Sequence, residues 1–194
     1  MPTEGATDDI ARLHRAALGS TRRFVAGIDA GRWAAPTPCE GWDVRALVNH
    51  LVSGNLWAAE LARGRTIAEV GDRLDGDVLG ADPLGAYDSS AEAAAAAFEG
   101  PGALEAPCAV SYGPVPGTVY AGHRFIDVLV HGWDLATATG QDAGIDPDLV
   151  AACMAVAAPQ APMLKASGMF GTEVAPPAGA DPQTRLLALL GRRA

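Results

Sequence analysis

A chain of 194 residues, 49% hydrophobic and 19% charged, buries enough apolar surface to offset its chain entropy, which excludes wholesale disorder and leaves room for one ordinary domain. Its 14 Lys and Arg against 23 Asp and Glu give a formal charge of −9, so a polyphosphate backbone is repelled and nucleic acid is not an expected partner. No apolar run reaches the roughly 18 residues of a membrane span, the N-terminus lacks the basic-then-apolar pattern of an export signal, and the 3 cysteines form no C-x-x-C, so a soluble, cytoplasmic protein without a disulfide framework is expected.

Ile10, Leu13, Ala17, Phe24 and Ile28 recur at helical intervals and predict a first helix from Thr7 to Ala30, with His14 on its exposed side. Pro36, Pro38 and Gly41 interrupt it. Asp43 then caps a second helix, Trp42 and Leu47 have the spacing of a hydrophobic staple, and Val44, Leu47, Val48, Leu51 and Leu56 trace its apolar face to Arg63. The Gly- and Asp-rich stretch 64–80 reads as a connection with one helical turn. Asp82-Pro83 starts a third helix that passes through Phe98 and stops at Gly100-Pro101. Residues 107–117 read as a loop, or one short extended piece with a turn. The fourth helix spans Thr118–Thr139 and is closed by Gly140. Asp146-Pro147 and Asp181-Pro182 open helices near 147–158 and 182–190, with a Pro/Gly-rich stretch over 159–177 that wraps the surface. The expected fold is all-α: an antiparallel four-helix bundle with short extra C-terminal helices. It forms one domain over 1–194, with a core at 6–140 and an appendage at 141–194.

In such a bundle, chemistry sits where polar groups interrupt apolar faces. His123, Asp127 and His131 stand four residues apart on the fourth helix, and Asp127 and His131 are close enough to share a divalent ion. An intrahelical hydrogen bond or ion pair explains that pair equally well. His50 lies beside the core stripe of the second helix, and Gly54 leaves space next to its imidazole. If the second and fourth helices face each other, His50, Asp127 and His131 converge. Two nitrogens and one carboxylate leave positions open for water or substrate, the catalytic pattern of a metal site. His50 taken alone reads first as a satisfied helix-edge histidine and only second as a ligand. His123 reads as a solvent-facing group, an outer-sphere group or a further ligand. Asp134 reads as a solvated helix-face charge or as the partner of a histidine, and Cys39 as a small packing residue or an activated thiol. Trp33, Trp42, Trp57 and Trp133 read as core or pocket wall. No phosphate loop, G-x-S-x-G elbow or H-E-x-x-H motif is present.

Two segments resemble a known family. Residues 36–51, with Pro36, Pro38, Cys39, Gly41, Trp42, Val44, Leu47, His50 and Leu51, are similar to the P-x-P-C-x-G-W-x-V-x-x-L-x-x-H-L signature of DinB-like proteins. They resemble most the actinobacterial branch that contains the N-terminal domain of mycothiol-dependent maleylpyruvate isomerase. Residues 127–140 resemble the D-x-L-x-H-x-W-D-L-A-x-A-T-G of the same branch, and 181–192 resemble its ending. The resemblance implies a DinB-type bundle holding one divalent metal through His50, Asp127 and His131. Zinc is the first expectation, with nickel, iron or manganese in relatives, and mycothiol is the implied cosubstrate. A homodimer is expected for such folds. Where this chain has Asp127, the isomerase carries Glu and many DinB proteins carry His, so the shorter carboxylate binds from further back. Only residues 141–194 follow the fourth helix, too few for the α/β domain that follows the bundle in the isomerase, so maleylpyruvate is not the implied substrate.

The leading expectation is therefore a metal-dependent enzyme of thiol transfer or isomerisation acting on a small electrophilic organic substrate. His123 would move a proton, Trp57, Tyr112 and Tyr120 would form the pocket rim, and the Ser111–Gly117 loop would cover the mouth. The rival expectations are a non-catalytic bundle that binds a ligand or protein, and a metal hydrolase that needs no thiol.

Overall fold

Aspartates set the helix starts. In the computed structural model, which describes residues 4–163 and 174–193, the Asp43 carboxylate accepts from the Ala46 N–H, Asp82 from Gly85, Asp146 from Asp148 and Asp181 from Thr184. Each occupies backbone donors that a helix N-terminus leaves unpaired. Pro83, Pro147 and Pro182 follow three of these caps, at positions where a missing N–H costs nothing. The described residues cluster into two compact units, one ending at Gln141 and one starting at Asp142.

The first unit contains α1 (Glu4–Ala26), a 3-10 turn (Ala30–Arg32), α2 (Val44–Ala62), α3 (Ile67–Val70), α4 (Pro83–Phe98), the strands β1 (Pro107–Val110) and β2 (Gly113–Pro116), and α5 (Gly117–Thr139). The helix expected to reach Ala30 stops at Ala26. The Gln141 side chain donates to the Phe24 carbonyl at 3.0 Å, and the Gly27 N–H bonds back to Arg23 and Phe24, so the terminal carbonyls are satisfied there. The one helical turn expected within 64–80 is α3, held by a reciprocal capping box between Thr66 and Glu69. Residues 107–116 pair as an antiparallel hairpin, so the described residues are all-α apart from this two-stranded ribbon. Gly140 ends α5 in the left-handed conformation at φ 74°, which a residue without Cβ adopts at no steric cost.

The four long helices form a DinB-like four-helix bundle. Both α4 and α5 pack against α1, and both also pack against α2. Arg15 reaches Glu92 and Glu99 while Arg22 reaches Asp88, so α1 and α4 run antiparallel. His50 meets Asp127 and Asn55 meets Arg124, so α2 and α5 are antiparallel as well. Along α1 and α5 the contacts advance together, from the Thr21 hydroxyl donating to Val128 O through to Phe24 O accepting from Gln141, so this neighbouring pair is parallel. Leu47, Leu51, Tyr87, Phe98, Phe125 and Ile126 fill the interior. His14 belongs there too. It is 0% exposed, with its ring edge-on to Phe98 at 5.2 Å, and not on the solvent side where it was expected. The reason is geometric: Ile10, His14, Ala17 and Thr21 recur at i, i+4, i+7 and i+11, and so share the inward stripe.

In the second unit, α6 (Pro147–Ala157) continues into a 3-10 turn (Ala158–Gln160) and packs on α7 (Pro182–Leu189). Gln183 pins its start by accepting from the Ile145 N–H and donating to Ala143 O. Of the stretch expected to wrap the surface over 159–177, residues 164–173 lie outside the described residues. Among the described residues no helix is long and apolar enough to cross a membrane.

Candidate metal centre

The capped start of α2 and the buried middle of α5 face one another, and this juxtaposition builds the site. His50 projects from α2 with Nε2 3.4 Å from Asp127 Oδ1, and His131, one turn after Asp127 on α5, brings its own Nε2 to 3.4 Å from the same oxygen. The two imidazoles meet edge-on with centroids 5.0 Å apart. One donor atom from each of the three lies within 4.8 Å of the others. Two imidazole nitrogens and one carboxylate oxygen suit a borderline divalent ion and leave coordination positions free, so the donor chemistry fits the expected metal.

The surroundings orient these donors. His131 Nδ1 lies 2.9 Å from Asp134 Oδ2, and a carboxylate only accepts, so the proton sits on Nδ1 and Nε2 is left for a cation. Asp134 is therefore no solvated helix-face charge: it is 0% exposed, because α5 is covered on nearly every side. Cys39 is more than a packing residue. The linker between α1 and α2 folds over the end of the bundle, the Thr37 hydroxyl accepts from the Cys39 N–H, and the Cys39 thiol donates to Asp134 Oδ2 at 3.3 Å. Trp42, itself partly exposed, lies against the site, its ring 4.8 Å from His50 and 6.0 Å from His131.

Arg124 is the group that sequence reasoning missed. It stands one turn before Asp127, 7% exposed, with Nη1 donating to Asp127 Oδ2 at 2.8 Å and Nη2 to Asn55 Oδ1 at 3.2 Å. The space at Gly54, expected beside the His50 imidazole, belongs to this guanidinium: a Cβ at Gly54 would stand 2.5 Å from Nη1. A glycine inside a helix costs about 1 kcal/mol relative to alanine, so the seat is maintained against helix propensity. Two signals pointed to it: a glycine mid-helix, and an asparagine beside it on the apolar face.

Charge and burial compete strongly here. Burial pushes the Asp127 carboxyl up, but Arg124, then His131 and His50, hold it well below the usual carboxylate range. Burial likewise pushes His131 down, and Asp127 with Asp134 outweighs it, leaving the imidazole well above its ordinary value. A cation at Nε2 displaces that proton.

The remaining candidates gather one to two turns away. Trp57, Tyr112 and Tyr120 line one cleft of about 350 Å³ with Leu61, Ile67, Val110 and Ser111. Trp57 follows His50 by seven residues and Tyr120 precedes Asp127 by seven, which sets the cleft about 10 Å along the bundle from the three ligands. The three converging ligand atoms are those of His50, Asp127 and His131, and His123 stands one turn before Asp127. It is buried between cleft and cluster on α5, with Nδ1 2.6 Å from the Tyr112 hydroxyl. The hairpin turn brings Ser111 and Tyr112 to the lining of this cleft.

Fold and site together define a DinB-like helical bundle with a histidine–carboxylate cluster between two facing helices. The sequence pattern of the mycothiol maleylpyruvate isomerase N-terminal domain matches residues 14–136, and the chain belongs to that family. Two uncharacterized proteins of Mycobacterium tuberculosis, from two strains, are each 35% identical over 185 residues, covering 92% of this chain and 95% of theirs. Among solved structures, a crystal structure of a histidine-to-alanine mutant of mycothiol-dependent maleylpyruvate isomerase shares the fold, with a TM-score of 0.59 at 16% identity over 80% of this chain and 71% of the other.

Proposed function

We propose that this chain is a cytoplasmic, metal-dependent enzyme of thiol transfer or isomerisation, using mycothiol and acting on a small electrophilic organic substrate. The observation that carries the reading is the convergence of the His50 and His131 Nε2 atoms on one oxygen of Asp127. Asp134 supports it, because its contact with Nδ1 leaves Nε2 as the His131 atom that a cation would meet. Held by His50, Asp127 and His131, a divalent ion, zinc first among the candidates, supplies a Lewis acid that keeps a thiol deprotonated near neutral pH.

The protein's own groups do the rest. Trp42 packs on the rings of His50 and His131 and helps to hold both imidazoles beside Asp127. The apolar cleft lined by Trp57, Tyr112 and Tyr120 takes the hydrocarbon part of the substrate. His123 lies one turn before Asp127 and is paired with the Tyr112 hydroxyl, a position from which it can return a proton to a carbanion or alkoxide formed as sulfur adds to carbon. Turnover of a panel of epoxides and unsaturated ketoacids, with and without mycothiol, tests this reading. The expected result is product formation that requires mycothiol and disappears with a chelator. Turnover without any thiol would favour a hydrolase, and none on any member a binding module.

A further inference from the structure

We propose that Arg124 makes the site selective for an anionic ligand, by restoring the positive charge that two carboxylates would otherwise cancel. The inference rests on the metal reading above and adds the charge of what binds next to the ion. Asp127 and Asp134 both carry a negative charge at the cluster, one at the ligand position and one behind His131. Those two charges balance a divalent ion completely, and the imidazoles of His50 and His131 bind it as neutral ligands. Such a site attracts an anionic fourth ligand less strongly than one that keeps a net positive charge. The buried guanidinium of Arg124 leaves a net charge of one, which a single anion neutralises.

The seat of Arg124 is built for this placement. Gly54 provides the volume, Asn55 accepts one amino group, and Asn55 is itself tied to Ser90 by its side-chain amide. Asn55 is fully buried and uncharged, so it holds the guanidinium without cancelling it. On the other side Arg124 occupies Asp127 Oδ2 and leaves Oδ1, the oxygen that both imidazoles approach. Arg124 is thus a positioning residue: it presents one carboxylate oxygen and sets the charge of the centre. The substrate class follows as a ligand carrying one negative charge at its donor atom, such as a thiolate.

Cobalt(II)-loaded protein titrated with azide, and separately with neutral imidazole, tests the proposal through the visible ligand-field bands. In Arg124→Gln, azide affinity is expected to fall at least about tenfold with imidazole affinity changed no more than about twofold, the effect of one unit charge a few ångströms away. Asn55→Asp keeps the volume and the bond to Arg124 while cancelling its charge, so it should give the same selective loss in a folded protein. Arg124→Lys keeps the charge and should stay within about threefold of the parent for azide. Azide affinity that is unchanged in Arg124→Gln and Asn55→Asp, or that falls in step with imidazole, overturns the proposal. Absence of cobalt bands in the parent protein would instead overturn the metal reading on which it stands.

Discussion

An Asp127→Ala variant is expected to lose about 3–5 kcal/mol of stability, the cost of leaving a buried charge without its partner. Arg124 is 7% exposed and its strong anionic contact is Asp127 Oδ2, so removing the carboxylate strands a guanidinium beside neutral Asn55. For a protein of this size the melting temperature should fall by roughly 6–20 °C. Chelator-treated protein is the right sample, since a bound ion adds its own linkage. Arg124→Met with Asp127→Ala should recover most of the lost stability, because the buried charge goes with its partner, but should recover no metal binding. Urea unfolding of the four proteins measures the coupling. A loss below about 1 kcal/mol in Asp127→Ala would show that Arg124 reaches solvent or another anion.

Acidification is expected to destabilise the fold through His14. Burial, then the charges of Arg124 and Arg15, lower this imidazole from 6.5 to about 3. It stays neutral in the folded chain, whereas the unfolded chain takes up a proton as pH drops below 6.5. The contribution is therefore intact above pH 6.5 and is lost as pH falls, by about 1.4 kcal/mol per pH unit until the folded form also protonates near 3. Between pH 7 and pH 5 this group alone accounts for roughly 2 kcal/mol. His14→Leu, which fills the same space beside Phe98, should remove that component of the urea-unfolding pH profile. A profile equally steep in His14→Leu would place the titrating group elsewhere.

Local chemistry was readable from the sequence, and contacts across the bundle were not. The Asp-Pro starts and the Asp43 cap are decided within four residues of chain, and the structure has each of them where the residues indicated. The approach of His50 to Asp127 and His131 was inferable once both motifs were placed on facing helices. Arg124 escaped because an arginine on a helix ordinarily reads as solvated, and only the cleared volume at Gly54, on another helix, shows otherwise. Asp134 and His14 escaped for the same reason. A polar residue is given to the outside by default, yet α5 is enclosed all round and His14 falls on the inward stripe of α1. The 107–116 segment reads from its residues as a loop or one short extended piece with a turn, and not as a paired hairpin, because Pro107, Pro114 and Pro116 cannot donate to a ladder. An isolated two-stranded ribbon tolerates them on its unpaired edges.

The most direct measurement is the metal stoichiometry of the full chain after zinc loading and gel filtration, read by inductively coupled plasma mass spectrometry beside His50→Ala. Loss of one of three ligands should cost more than the 10- to 100-fold that outer partners typically contribute. About one zinc per parent chain is expected, and almost none in His50→Ala at the same protein concentration. Equal zinc in both proteins, or none in the parent, would contradict it.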